Sequence, residues 1–277
     1  MHWHTTRFQI DLARPQVMGI INITPDSFSD GGETANTAAA LVRCERLLAE
    51  GADILDLGAE STRPGSLPVT AADELARLLP VLDGALKLGC PVSVDTNKPE
   101  VMAAVLARGA DIINDINALR TPGALEVVAG HSHCGVCLMH MRGTPDSMQS
   151  QLDYDGDVVD EVGQFLHARA QALAARGVAD ERIVFDPGIG FGKSVGHNIE
   201  LLRRQHELLA WGRPLLLGWS RKSTLGEITG RDVTQRLAAS VAAALAAVQW
   251  GASIVRVHDV AATVDALSVW RAAGLGR

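Results

Sequence analysis

Short apolar runs recur along the chain, and each is followed by a stretch with helical character. The runs are Val17–Ile23, Ile54–Leu57, Val92–Val94, Asp111–Asn114, Gly135–Met139, Ile183–Phe185, Leu215–Gly218 and Ile254–Val257. Between them, Thr37–Glu50, Ala71–Leu88, Pro99–Arg108, Gly156–Arg176 and Val233–Trp250 combine helix formers with helical spacing, which predicts helices. Junctions such as Glu50-Gly51-Ala52-Asp53, Arg108-Gly109-Ala110-Asp111 and Trp250-Gly251-Ala252-Ser253 put glycine where a helix closes in the left-handed conformation. Runs that are apolar on both faces and alternate with helices predict a parallel sheet covered by helices.

Eight strand–helix units fit the chain, at about 35 residues each, and eight such units close a (β/α)8 TIM barrel of parallel strands. A doubly wound open sheet, usually with fewer strands, is the alternative fold. A length of 277 residues allows two domains at about 150 residues each, but single barrels run to about 250. No linker rich in Pro, Gly or Ser divides the chain, so residues 1–277 read as one domain.

Chemistry in such a barrel sits at the carboxyl ends of the strands. Every run here is followed at once by polar residues: Asn22 and Thr24, Asp56, Asp95-Thr96-Asn97-Lys98, Asn114-Asp115, His140 and Arg142, Asp186, Ser220–Ser223, and Arg256 with His258. The opposite ends carry mostly Gly, Ala and helix caps. Asp26, Asp73 and Asp259 read as caps rather than ligands. Two long polar loops, Thr24–Asn36 and Gly58–Thr70, are candidate lids.

A composition of 47% hydrophobic and 21% charged residues is that of a globular chain and excludes disorder. The net charge of -7 argues against nucleic acid or a membrane surface as partner. Met1–Ile10 lacks the apolar core of a signal peptide. The most apolar stretch, Leu237–Val255, is interrupted by Ser240, Gln249, Gly251 and Ser253, so the expectation is a cytoplasmic protein without a membrane span. Cys134 and Cys137 have zinc-like spacing beside His131 and His133. They bracket the start of a buried strand, which points them to opposite faces, and no second pair completes a site. Buried, reduced cysteine is the preferred reading.

Two features suggest a ligand. Arg256 and His258 leave the last strand on one face, where a guanidinium fork and an imidazole suit phosphate oxygens. An internal salt bridge from Arg256 to Asp259 is the alternative. Asn22, on the neighbouring strand of a closed barrel, offers a hard oxygen to magnesium bridging such phosphates. The second feature is the set of Asp56, Asp95, Asp186 and Asn114, which matches the donor face of an aminopyrimidine ring with Lys222 opposite its carbonyl. A sugar or a metal could use the same groups. Gly188–Ser194 has the look of a phosphate loop, but Pro187 stands where that motif needs glycine.

The strings Asn22–Gly32, Glu60–Gly65, Asp95–Lys98, Ile113–Ile116, Leu138–Met141, Asp186–Lys193, Ser220–Ser223 and Arg256–Val260 resemble the dihydropteroate synthase family over nearly the whole chain. The resemblance implies a TIM barrel that condenses 6-hydroxymethyl-7,8-dihydropterin diphosphate with 4-aminobenzoate, with Mg2+ as cofactor. By motif position, Asn22 would bind magnesium, and Arg256 and His258 the diphosphate. Asp95, Asn114, Asp186 and Lys222 would hold the pterin. Thr62, Arg63 and Ser223 belong to the diphosphate and aminobenzoate side, with Phe28, Pro64 and Phe191 walling the aminobenzoate ring. The resemblance also implies a homodimer, sulfonamide inhibition and a monofunctional enzyme, the length leaving no room for a fused pyrophosphokinase. Ala59, Asn97 and Trp219 depart from the family pattern, which bears on the pocket wall. A pterin-binding methyltransferase barrel and a non-catalytic binding paralogue are the alternatives.

Overall fold

The structure is a computed structural model, and it describes residues 1–23, 32–61, 69–145, 147–148 and 152–275. The chain begins with a hairpin of β1 (His2–His4) and β2 (Gln9–Asp11). Eight parallel strands follow: β3 (Gln16–Asn22), β4 (Ile54–Gly58), β5 (Val92–Asp95), β6 (Ile112–Asp115), β7 (Gly135–Met139), β8 (Ile183–Asp186), β9 (Leu216–Leu217) and β10 (Ile254–Val257). Their order is β8-β7-β6-β5-β4-β3-β10-β9. A parallel bridge between Phe185 and Leu215 joins the two outer members and closes the ring.

The helices are α1 (Gly32–Ala49), α2 (Ala71–Ala85), α3 (Pro99–Arg108), α4 (Ala124–Gly130), α5 (Val158–Ala174), α6 (Val195–Arg203), α7 (Gln205–Leu209), α8 (Ser223–Thr229), α9 (Leu237–Gln249) and α10 (Val260–Ala272). They surround the strands, so each strand is buried on both faces, and this is why the runs carry no polar alternation. Gly51, Gly109 and Gly251 close helices at φ 96, 99 and 101°, as the junctions predict.

Two layers inside the barrel decide where chemistry can occur. The lower layer is apolar: Met18, Ile54, Ile112, Cys137, Val184, Leu216 and Ile254 pack together. Trp3 and Ile10 of the hairpin pack against them from the amino-terminal end. Trp3 is fully buried, and its Nε1 donates to the Arg182 carbonyl at 2.9 Å. Arg7, in the turn of the hairpin, pairs with the buried Asp111 at 2.6 Å. One end of the barrel is thereby plugged, which leaves the carboxyl end for ligands. Sequence patterning missed this hairpin, because strands of three residues are too short to display a period of two.

Other expectations need correction. Helix α1 starts at Gly32, inside the segment read as loop. Its first turns hold Thr34, Asn36 and Thr37, residue types that mask a helix in a propensity reading. Thr70, not Asp73, caps α2, its Oγ1 accepting the Asp73 N–H at 3.1 Å. Asp259 stands before α10 without a capping bond and instead accepts from Arg221. Asp26 and most of both long polar loops lie outside the described residues. No helix among the described residues is long and apolar enough to cross a membrane.

Candidate active site

Successive side chains on a strand alternate between faces, so residues two beyond the lower layer point into the same interior. Two beyond Ile54, Ile112, Cys137, Val184 and Ile254 stand Asp56, Asn114, Met139, Asp186 and Arg256. Four beyond Met18 stands Asn22, the last residue of β3 and an exposed one. β5 adds Asp95, paired in register with Gly58 and Asn114. The barrel interior thus turns from apolar to polar within a single step on β4, β6, β8 and β10, while Met139 on β7 stays apolar.

The polar layer is tightly bonded. Arg256 donates from Nε to Asp56 Oδ2 at 2.6 Å and from Nη2 to Asp95 Oδ2 at 2.7 Å. Asn114 Nδ2 donates to Asp56 Oδ2 at 3.3 Å. Asp56 is fully buried. Burial pushes the Asp95 carboxyl up to about 7 although Arg256 opposes the shift. Burial works against the Arg256 charge too, but Asp56 and Asp95 outweigh it and hold the guanidinium protonated. Asp186 accepts the Gly188 N–H at 2.7 Å, and burial raises its pKa.

Lys222 reaches in from the end of β9. Its Nζ donates to the Ile189 carbonyl at 2.6 Å and lies 4.2 Å from the centroid of the Phe191 ring. Burial lowers the ammonium to about 8, with Asp186 resisting. Arg221, before it, sits in the left-handed region at φ 61° and pairs with Asp259 at 2.5 Å. His258 Nδ1 is 3.0 Å from Ser220 Oγ, and its carbonyl accepts from Arg43. Phe191 packs with Ile116, Met139, Met141 and Met148 as an apolar wall.

The mouth therefore gathers Asn22, Asp95, Asn114, Asp186, Lys222 and Arg256, with His258, Ser223 and Phe191 beside it. Phe28, Thr62, Arg63 and Pro64 lie outside the described residues. Arg256 is not the open anion site expected from sequence, nor is it bound to Asp259: two carboxylates from strands β4 and β5 hold it. Trp219 is buried in the shell between strands and helices and does not wall the mouth. Cys134 packs in that shell and Cys137 inside the barrel, the opposite faces expected. All four cysteines are free and buried.

Two groups have supporting roles that the sequence reading did not assign. Asp115 accepts the N–H groups of Asn117 and Leu119, each at 2.7 Å. It steadies a turn in which Ala118 and Leu119 hold φ of 50 and 57°, a strained conformation for residues with a Cβ. Lys193, at the end of the glycine-rich string, is buried against His140 and three backbone carbonyls. An ammonium so engaged is turned away from any phosphate, which agrees with rejecting the phosphate-loop motif.

Chemically, the mouth offers carboxylates to the donor edge of a flat heterocycle, an ammonium to a carbonyl, and an apolar wall to a ring. Arg256 and His258 add cationic or donor groups at one side. Among the described residues no cluster of three or more His, Cys, Asp or Glu is placed to hold a metal ion.

Comparison with known proteins converges on one group. A family model described as pterin binding enzyme matches residues 18–258. The dihydropteroate synthase of Neisseria meningitidis serogroup B is 52% identical over 279 residues, covering 99% of this chain and 98% of that protein. The solved structure of Xanthomonas albilineans dihydropteroate synthase with 4-aminobenzoic acid superposes with a TM-score of 0.92 at 49% identity, over 99% of both chains. That of the Burkholderia cenocepacia enzyme complexed with 7,8-dihydropteroate gives 0.89 at 51% identity, over 99% of this chain and 96% of the other.

Proposed function

The chain belongs to the pterin-binding enzyme family, and from that premise we propose that it catalyses dihydropteroate synthesis. It is a transferase of folate biosynthesis that condenses 6-hydroxymethyl-7,8-dihydropterin diphosphate with 4-aminobenzoate, releasing diphosphate. The observation that carries the reading is the polar layer itself. Asp56, Asp95, Asp186 and Asn114 face one plugged barrel interior with Lys222 at its rim. A methyltransferase barrel shares the carboxylates and asparagine, but it has no use for Arg256 and His258 beside them.

The pterin edge would donate to Asp95 and Asp186, with Asn114 completing the set and Lys222 donating to the ring carbonyl. Phe191 would wall the aminobenzoate, together with Phe28 and Pro64. Thr62, Arg63 and Ser223 would hold its carboxylate side and the diphosphate. Arg256 donates to Asp95 in the structure, so binding of the ring's donors to that carboxylate would free the guanidinium for the diphosphate. Ring recognition and anion capture are then one exchange.

The aniline nitrogen is a neutral nucleophile at pH 7 and needs no activated side chain. The barrier lies in departure of diphosphate, whose growing charge Arg256 and His258 stabilise. The substitution is dissociative, without a covalent enzyme intermediate, so intact-protein mass measured during turnover stays at that of the free chain.

Magnesium fits the donor set. Asn22 is exposed at the end of β3, and its amide oxygen has no hydrogen-bond donor among the described residues. Magnesium is commonly bound by one or two protein oxygens, with substrate phosphates and waters completing the shell. Bound there, it would neutralise charge on the leaving diphosphate.

The reading is completed by one cytoplasmic domain, small-molecule partners rather than nucleic acid or membrane, and a homodimer. Large apolar side chains exposed at Leu237, Trp250 and Val269 support the dimer, which sedimentation tests. For the reaction, the purified chain with both substrates and magnesium is expected to form 7,8-dihydropteroate, identified by mass, with sulfonamides competing against 4-aminobenzoate. Absence of that product from folded protein overturns the assignment.

A further inference from the structure

Lys193 is a buried cation beside the mouth that the reaction leaves unused. Its Nζ lies 2.9 Å from His140 Nδ1, and it donates to the carbonyls of Gly188 at 3.0 Å, Phe191 at 3.0 Å and His140 at 3.3 Å. Among the described residues its hydrogen-bond partners are an imidazole and three carbonyls, with no carboxylate among them. Burial holds its pKa well below the ordinary lysine value. Such a group is costly to bury, so what it bonds to identifies its use.

All four contacts belong to two loops at the barrel mouth. His140 directly follows β7, while Gly188 and Phe191 belong to the string after β8. That string turns by left-handed glycines, with φ of 68° at Gly188, 80° at Gly190 and 66° at Gly192. A Cβ on Gly188 would fall 1.8 Å from the His140 carbonyl, and one on Gly192 would fall 2.6 Å from that of Arg142. Other partners complete the loop: Lys222 donates to the Ile189 carbonyl, Tyr154 to that of Gly192, and Asn198 Oδ1 accepts the Gly190 N–H. Among the described residues Lys193 is the side chain whose hydrogen bonds join the loop to the end of β7, and it reinforces the curl that the Phe191 N–H makes on the Gly188 carbonyl at 3.1 Å.

Two site groups hang from this loop. The Ile189 carbonyl anchors the Lys222 ammonium, and the Phe191 ring lies under it. We propose that Lys193 is a positioning residue of the substrate site, acting through the Gly188–Gly192 loop to set the Lys222 ammonium and the Phe191 ring. The inference rests on the pterin and aminobenzoate reading of that mouth. Lys222 and Phe191 touch parts of the substrates that do not change in the reaction, so their displacement weakens binding uniformly and appears in KM.

The test is steady-state kinetics on Lys193→Met, assayed well below its melting midpoint with pterin diphosphate and 4-aminobenzoate. The expected result is a KM for both substrates raised about tenfold or more, with kcat within about threefold of the parent. A merely structural role lowers kcat with the folded fraction and leaves both KM values in place, and that result overturns the assignment. If Lys193→Met does not fold, Lys193→Gln is read in the same way; if neither yields folded protein, Lys193 serves the fold and the assignment is overturned. Inactivity of the parent chain refutes the proposed function, whereas an active parent with an indifferent Lys193→Met refutes only this inference.

Discussion

Replacing Arg256 by Met separates the two jobs of that side chain. The guanidinium is bound to Asp56 at 2.6 Å and Asp95 at 2.7 Å. It therefore competes with the pterin's own donors for Asp95. A charge-assisted hydrogen bond contributes about 1.5–3 kcal/mol, so loss of the guanidinium should weaken the diphosphate ester about tenfold to a hundredfold. A ligand with the same ring and no diphosphate has nothing to lose and no competitor to displace, so its affinity should hold or improve. The variant leaves two buried carboxylates without their cation, a change that costs up to ~3–5 kcal/mol in stability. Proton uptake by Asp95, already raised to about 7, moderates that cost and keeps the variant measurable near neutral pH. Calorimetric titration with 6-hydroxymethyl-7,8-dihydropterin and with its diphosphate, on both proteins, reads the two effects. Equal weakening of both ligands would refute the exchange.

The remaining expectations address the pH response and the barrel floor. Lys222, lowered by burial to about 8, must be charged to donate to the pterin carbonyl. kcat/KM should therefore fall as pH rises through that value, and Lys222→Arg should remove this limb from the pH–rate profile. Asp95 holds its proton in the folded chain up to about 7, whereas an unfolded aspartate releases it near about 4. The folded state binds more protons in that window, so Asp95 makes stability fall as pH rises. Thermal melts of Asp95→Asn between those limits should slope less than those of the parent. Trp3→Ala empties the plugged end of the barrel and should cost about 3–5 kcal/mol in denaturant unfolding. Activity measured well below its melting midpoint should be unchanged, because the mouth is at the other end.

The barrel was legible because its strands are apolar on both faces and most are bounded by helix-closing glycines. All eight runs match observed strands to within one residue at each end, the shortest being β9 at Leu216–Leu217. The polar ends were legible for the same reason: a charged residue directly after such a run has few places to point except the mouth. What stayed hidden was long-range pairing. Arg256 meets Asp56 and Asp95 across 200 and 161 residues of sequence, and nothing local distinguishes a paired arginine from a free one. Lys193 was hidden differently: Pro187 already argues against a phosphate loop, but nothing in the glycine-rich string shows that the ammonium is buried against backbone carbonyls. The hairpin was missed because His2, His4 and Gln9 dilute the apolar signal of Trp3 and Ile10.

The central claim is that this mouth transfers a pterin-methyl group from diphosphate to an aromatic amine. Diphosphate release from 6-hydroxymethyl-7,8-dihydropterin diphosphate, followed with magnesium in the presence and absence of 4-aminobenzoate, tests it most directly. Catalytic release that requires the amine and matches dihydropteroate formed mole for mole is the predicted result. No release, or release at the same rate without the amine, would contradict it.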